Sequence, residues 1–366
     1  MNIIKTFKFK LKLSKEQTKR VDSWIGTSRF IHNLALETKI YAYRSFGVSL
    51  SKFDLMNQLP ALKEFDWIKD VPAQSLQDVI ERLDRTYQSF FKGGGFPKWA
   101  KKDSYNSIAF KAVKQAENGF ILPKLGHVKV FKNRMPDGNL KRATIIKEHA
   151  DYFLSVTFES ETKNLYPVSD NQAVGLDMGI TYFLADSNGH FVDNPRHILK
   201  YEKQLRIENR ALARKKKGSK SREKQKVKLA KLHRKIANVR KDFLHKTSIQ
   251  YIKENHIIIC EDLKVKNMVK FGHLSKHISD VSWSNFFAML KYKMEHNEKI
   301  FVQINPRFTS QKCSACGHIE KENRLSQSKF KCISCNHEQN ADLNAALNIK
   351  SEGIALIRQR EAVACA

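Results

Sequence analysis

At 366 residues, with 66 Lys or Arg against 37 Asp or Glu, the chain carries a formal charge of +29 on a composition that is 41% hydrophobic and 28% charged. That apolar content excludes a disordered polycation and suits two or three folded domains, while the charge selects a polyanionic partner. No apolar run approaches the roughly eighteen residues of a membrane span, and no basic amphipathic stretch has a free apolar face, so nucleic acid is preferred to a membrane surface. The opening MNIIKTFKFKLKLSKEQ lacks an apolar h-region and a small-residue cleavage site. It does not read as a signal peptide, and a reducing, cytoplasmic setting is expected.

Phe7, Phe9, Leu11 and Leu13 alternate with Lys8, Lys10 and Lys12, the period-2 pattern of a strand with one core face and one basic face. Ser14-Lys-Glu-Gln17 is a capping box that starts a helical region reaching about Lys92. Its clearest amphipathic stretch carries Leu76, Val79, Ile80, Leu83, Tyr87, Phe90 and Phe91 and stops at Gly93-Gly-Gly95. Phe96-Pro-Lys-Trp99 with Lys101 and Lys102 mixes aromatics and cations, which suits phosphate contact and base stacking or an exposed linker. Short strands are expected within 121–130, 143–147 and 152–158, separated by turns at Pro136-Asp-Gly-Asn139 and His149-Ala-Asp151. With residues 5–13 they could close a small β-barrel.

A new domain is expected near Asn171. Residues 174–185 read as a strand pair with Asp177 in an apolar middle, where an uncompensated charge is expensive. Asp186-Ser-Asn-Gly189 supplies its turn. Residues 196–246 hold twenty Lys or Arg against four acids, a net +16. Leu229, Leu232, Ile236, Val239 and Phe243 recur at helical spacing there, so two antiparallel basic helices joined at Gly218-Ser219 are expected. His256-Ile-Ile-Ile-Cys260 is a buried strand ending in Glu261-Asp262, the edge at which an α/β sheet presents active-site groups. A helix around Trp283, Phe286, Phe287 and Leu290 and a strand at 300–304 follow.

Cys313-Ser-Ala-Cys316 and Cys332-Ile-Ser-Cys335 are two C-x-x-C pairs with fifteen residues between them. That is the spacing of a four-thiolate zinc ribbon and is preferred to disulfides or free thiols. Gly317 and Asn336 directly after each pair suit a tight knuckle. A helix follows from Asn340, with Leu343, Ala346, Leu347 and Ile349 as its apolar stripe and Asp342 at its head. An Asp there is ordinarily an N-cap. Asp177 and Glu261 change that reading, because each sits where a sheet-centred domain would project it to one edge. Gathered carboxylates repel and raise one another's pKa. Two Mg²⁺ about 3.5–4 Å apart would relieve that and hydrolyse a phosphodiester. Asp262, Asp186 and Asn344 are spare candidates, and Asp262 is expected to be solvent-exposed. No function is assigned to Cys260 or Cys365.

The chain resembles the TnpB family, RNA-guided nucleases of small insertion sequences, and more distantly the miniature type V CRISPR effectors. The matching residues are Val174-Gly-Leu-Asp-Met-Gly-Ile180, Ser219-Lys-Ser-Arg222, Asn238-Val-Arg-Lys-Asp242, Cys260-Glu-Asp-Leu263 with Asn267-Met268, Ser310-Gln-Lys-Cys-Ser-Ala-Cys-Gly317 and Asp342-Leu-Asn-Ala-Ala346. The likeness covers nearly the whole chain. It departs where the family often has His-Asp-Arg-Asp: here Glu338-Gln-Asn-Ala precede Asp342.

The resemblance implies a multidomain α/β protein, with a wedge β-barrel from 1–13 and 96–168 and a helical recognition lobe at 14–95. An RNase H-like RuvC nuclease is implied at 169–305 and 340–366, with the basic hairpin at 196–254 and a zinc ribbon at 306–339. By position Asp177, Glu261 and Asp342 match the family's catalytic, magnesium-binding trio, and Cys313, Cys316, Cys332 and Cys335 its zinc ligands. The expected function is RNA-guided DNA cleavage by a monomer on a guide RNA from the transposon end, at DNA beside a short motif. An RNA-independent transposase and a non-cutting RNA-guided repressor are the alternatives.

Overall fold

The computed structural model describes residues 2–102, 104–131, 136–161, 166, 172–264 and 282–364, and the chain divides into two compact units, Met1–Glu161 and Thr162–Ala366. Asn267-Met268, Asn171 and Cys365 lie outside the described residues.

In the first unit, strand β1 (Asn2–Lys12) leads into Ser14, whose hydroxyl accepts from the Gln17 N–H while the Gln17 side chain accepts from the Ser14 N–H. The capping box starts α1 (Lys15–Phe46), which ends at Gly47 in the left-handed conformation. Three short helices, α2 (Lys52–Asn57), α3 (Leu59–Leu62) and α4 (Asp66–Lys69), precede α5 (Ala73–Phe91), which buries Leu76, Val79, Ile80 and Leu83.

Strands β2 (Ser107–Phe110), β3 (Lys114–Ala116), β4 (Gly119–Leu122), β5 (Gly126–Val130), β6 (Asn139–Glu148) and β7 (Asp151–Glu161) follow. They join β1 in an antiparallel sheet of order β2-β6-β7-β1-β5-β4-β3. Among the described residues no pairing links β2 to β3, so the ladder is open. Residues 121–130 form a hairpin whose turn holds Lys124 and Gly126 at positive φ. Strands β2 and β3, at four and three residues, are too short to show a period and were not legible in the sequence. Helices and sheet share one core that includes Trp24, Phe110, Phe120 and Phe158.

The second unit is built on β8 (Ala173–Met178), β9 (Tyr182–Asp186) and β10 (Phe191–Asp193), then β11 (Ile257–Glu261) and β12 (Ile300–Ile304), in the order β10-β9-β8-β11-β12. β11 runs parallel to both β8 and β12, while β9 and β10 turn back as antiparallel hairpin strands. The basic hairpin is α6 (His197–Ala213) and α7 (Lys220–Glu254), turned at Gly218 with Ser219 as N-cap, as expected from its charge and breakers. Helix α8 (Trp283–His296) precedes β12. A two-stranded ribbon, β13 (Lys329–Lys331) and β14 (Glu338–Asn340), precedes α9 (Ala341–Ala364).

The alternation of side chains along β8 and β11 sorts the layers. Val174, Leu176, Ile258 and Cys260 join a core with Tyr251 of α7 and Phe286 and Leu290 of α8. Ile259 instead joins Val302, Ile304 and Ile349 of α9. The face carrying Ile259 is therefore the α9 face, and by the two-residue period Gly175, Asp177 and Glu261 belong to it. None of the helices among the described residues is long and apolar enough to cross a membrane.

Candidate metal centres

The four cysteines come together as two equivalent knuckles. Cys313 donates its N–H to the His318 carbonyl and Gly317 donates to Cys313; Cys332 donates to His337 and Asn336 to Cys332, all at 2.9–3.0 Å. Gly317 (φ 79°) and Asn336 (φ 58°) supply the left-handed turn after each pair. The Sγ atoms of Cys313 and Cys335 lie 3.7 Å apart, and those of Cys316 and Cys332 lie 3.6 Å apart. A disulfide needs about 2.05 Å. Tetrahedral zinc at about 2.3 Å from each sulfur sets an edge of about 3.75 Å. The sulfurs lie within 4.8 Å of one another, so this set fits structural zinc. Burial opposes the Cys332 thiolate, but hydrogen bonds from the Cys335 and Ser334 N–H groups and from the Cys316 and Cys335 thiols together outweigh it and hold the thiol down to about 6.

Side-chain amides tie this knot to α9. The fully buried Asn344 accepts the Ser314 N–H at 2.9 Å and donates to the Lys312 carbonyl at 2.8 Å. One turn on, Asn348 donates to the carbonyls of Thr309 and Lys312 at 2.9 and 2.6 Å. Helix α9 thus buries Ala341, Asn344, Ala345, Ala346, Asn348 and Ile349, whereas Leu343 and Leu347 of the expected stripe are only half-buried. The spare ligand Asn344 is committed to the ribbon.

Asp342 is not the N-cap of α9. Asn340 takes that role, its Oδ1 accepting from the N–H groups of Asp342 and Leu343 at 2.9 and 3.2 Å. The Asp342 carboxylate instead meets the Arg324 guanidinium at 3.3 Å. Asp177 and Glu261 follow directly on the register pair Leu176 and Cys260, so they leave adjacent parallel strands at one level. Strands that pair lie about 4.8 Å apart.

Asp177 feels both of the other acids. Burial, then the charges of Glu261 and Asp342, push the Asp177 carboxyl up to about 7, against opposition from Arg324 and the Met178 N–H. Burial also raises Glu261, opposed by the Thr309 hydroxyl, and raises Asp342, opposed by Arg324. Thr309 is buried and donates to Glu261 Oε1. Thr309 and Arg324, both from the ribbon segment, had no sequence signal: a lone Thr and a lone Arg in a basic chain carry no spacing to read.

The remaining spare candidates do not join this site. Asp186 is buried and accepts from the N–H groups of Asn188 and His190 and from the Tyr251 hydroxyl, which makes it the organiser of the β9–β10 turn. Asp262 is half-exposed and paired with Lys264 at 2.5 Å.

Comparisons with known proteins identify the family of the chain. Residues 155–272 match the family described as "Probable transposase" of the IS605 OrfB type, and residues 283–349, which include the ribbon, match "Cas12f1-like, TNB domain". A third family, described as "Helix-turn-helix domain", matches residues 1–47, which here form β1 and the single long helix α1. The "Putative RNA-guided DNA endonuclease InsQ" of Escherichia coli (strain K12) is 33% identical over 99% of this chain and 96% of that protein. A "Putative RNA-guided DNA endonuclease" of Streptomyces pristinaespiralis is 30% identical over 96% of this chain and 90% of its own length. The structure titled "Cryo-EM structure of the Cas12f1-sgRNA-target DNA complex" shares the fold, with a TM-score of 0.60 at 13% identity over 95% of this chain and 99% of that one. On identity of 30% or more along nearly its entire length, the chain belongs to the TnpB family of insertion-sequence-encoded RNA-guided nucleases.

Proposed function

We infer that this protein is an RNA-guided DNA endonuclease that hydrolyses target phosphodiesters with Asp177, Glu261 and Asp342. What supports the reading is that Asp177 and Glu261 each follow directly on a register pair of adjacent parallel strands, and that the charges of Glu261 and Asp342 both raise the Asp177 pKa. An all-oxygen set under that repulsion suits magnesium. Bound Mg²⁺ would supply an activated water and a Lewis acid for the leaving oxygen. Thr309 orients Glu261, and Arg324 favours the ionised form of Asp342 against burial and offers its guanidinium to a phosphate oxygen.

In this reading the second unit is an RNase H-like RuvC domain with the zinc ribbon inserted before its last helix. The first unit supplies the wedge sheet and the helical recognition lobe. The guide RNA, from the transposon end, lies on basic surfaces such as α6–α7, and the protein acts as a monomer on it. Target choice is delegated to base pairing beside a short motif that the protein reads.

The test is to purify the protein from cells carrying the element, sequence the RNA that accompanies it, and challenge the complex with matched plasmid in Mg²⁺. One RNA species with a replaceable end, and cleavage that ribonuclease abolishes, is expected. Cleavage surviving ribonuclease would support an RNA-independent transposase, and guided binding without any cut would support a repressor.

Thr309→Val keeps the shape of the side chain but deletes the donor to Glu261. Its loss should raise the Glu261 pKa further, move the acidic limb of the pH–rate profile to higher pH and lower cleavage about 10–100-fold. An unmoved profile would mean that the hydroxyl does not tune Glu261.

A further inference from the structure

Helix α9 and strand β8 approach more closely than two side chains would allow. A Cβ built on Gly175 would lie 2.2 Å from the Ala346 carbonyl oxygen and 2.6 Å from the Lys350 amide nitrogen. Further along the helix, a Cβ on Gly353 would lie 2.4 Å from Ile259 Cγ2 and 2.7 Å from its Cγ1 and Cδ1. Gly175 and Ile259 are register partners on adjacent parallel strands, so α9 rests on one rung of the sheet at two points. Gly175 is itself held, its N–H donating to the Ser187 hydroxyl at 3.1 Å and its carbonyl accepting the Ser187 N–H at 2.9 Å.

The acids stand at a fixed offset from these contacts. Asp177 is two residues beyond Gly175 and Glu261 two beyond Ile259, a strand repeat of about 6.6 Å on the same face. Asp342 is four residues before Ala346, about one helical turn or 6 Å. Asp342, Ala346, Lys350 and Gly353 follow the i, i+4, i+8, i+11 spacing of one helix face. Each carboxylate is therefore set off from these contacts by one repeat of rigid secondary structure.

We propose that Gly175 and Gly353 are positioning residues, whose missing side chains set how deeply α9 lies on the sheet and thus how near Asp342 comes to Asp177 and Glu261. The inference rests on the nuclease reading for its activity assay but not for its metal-binding assay.

Gly175→Ala places a methyl against helix backbone, which no rotamer change relieves. It should weaken Mn²⁺ binding about tenfold, followed by electron paramagnetic resonance without nucleic acid. Cleavage should fall roughly 100-fold, the cost of about 1 Å of misplacement. Guide-RNA affinity and zinc content should not change. Gly353→Ala separates misplacement from misfolding, because its added methyl meets only Ile259 side-chain atoms. Gly353→Ala alone should weaken Mn²⁺ binding, and Gly353→Ala with Ile259→Ala should recover it. Wild-type Mn²⁺ affinity in folded Gly175→Ala, or no recovery in the folded double variant, overturns the proposal. Absence of guided cleavage by the wild-type complex beside weakened Mn²⁺ binding in Gly175→Ala would remove the nuclease assignment and leave the positioning role standing.

Discussion

Asp177→Asn is expected to lose Mg²⁺-dependent DNA cleavage by on the order of 10³-fold or more, since residues that act as one unit fail together, and to gain stability. Asparagine keeps the shape and can still accept the Met178 N–H, but it removes a charge that burial, Glu261 and Asp342 all disfavour. Burial and the two neighbouring acids push this carboxyl up to about 7 in the folded protein without Mg²⁺, against 3.8 for a free aspartate. Between those pH values the folded state holds a proton that the unfolded state has released. Wild-type stability therefore falls as pH rises from about 4 to 7 and stays lower above it.

The stabilisation by Asp177→Asn should thus be absent near pH 4 and full above pH 7, on the order of 2–4 kcal/mol. Thermal melts at pH 5 and pH 8 in magnesium-free buffer would read it directly. Wild-type cleavage should decline below about pH 7, where the proton competes with the cation. A fully active Asp177→Asn would remove this residue from the mechanism, and equal melting shifts at both pH values would remove the electrostatic argument.

Stripping zinc, or replacing Cys332 by Ser, should abolish cleavage although no cysteine belongs to the carboxylate site. The ribbon has a small core of its own, Cys313, Phe330, Cys332 and Ala341. Such a core cannot fold its segment unaided, and metal binding in comparable structural sites supplies about 10–16 kcal/mol. The same segment provides Thr309 to Glu261, Arg324 to Asp342 and the carbonyl and N–H partners of Asn344 and Asn348. Its loss releases the N-terminal turn of α9.

A chelator strong enough to remove one zinc per chain should raise amide exchange across 306–348 and reduce cleavage at least about 100-fold, with readdition of zinc restoring both. Guide-RNA affinity should fall far less, because α6–α7 carries its charge outside the ribbon. Undiminished cleavage by protein shown to be zinc-free would end the idea that the ribbon positions the acids.

What could be read from the chain alone was whatever depends on neighbours in sequence. The capping box at Ser14, the α6–α7 turn at Gly218, the C-x-x-C knuckles with Gly317 and Asn336, and the buried strand before Glu261 are each specified within about ten residues by charge, period or backbone permission. The carboxylate trio was nameable from a resemblance and from its places on expected elements. The structure adds that parallel pairing of β8 with β11 levels Asp177 with Glu261, and that α9 packs closely against Gly175 and Ile259.

Tertiary structure alone decided the roles of Asn340, Asn344, Thr309 and Arg324. A polar residue at a helix start has the same local sequence whether it caps, bridges or faces a ligand. Only the elements packed around it determine which of its hydrogen bonds can form, and those elements lie tens of residues away along the chain.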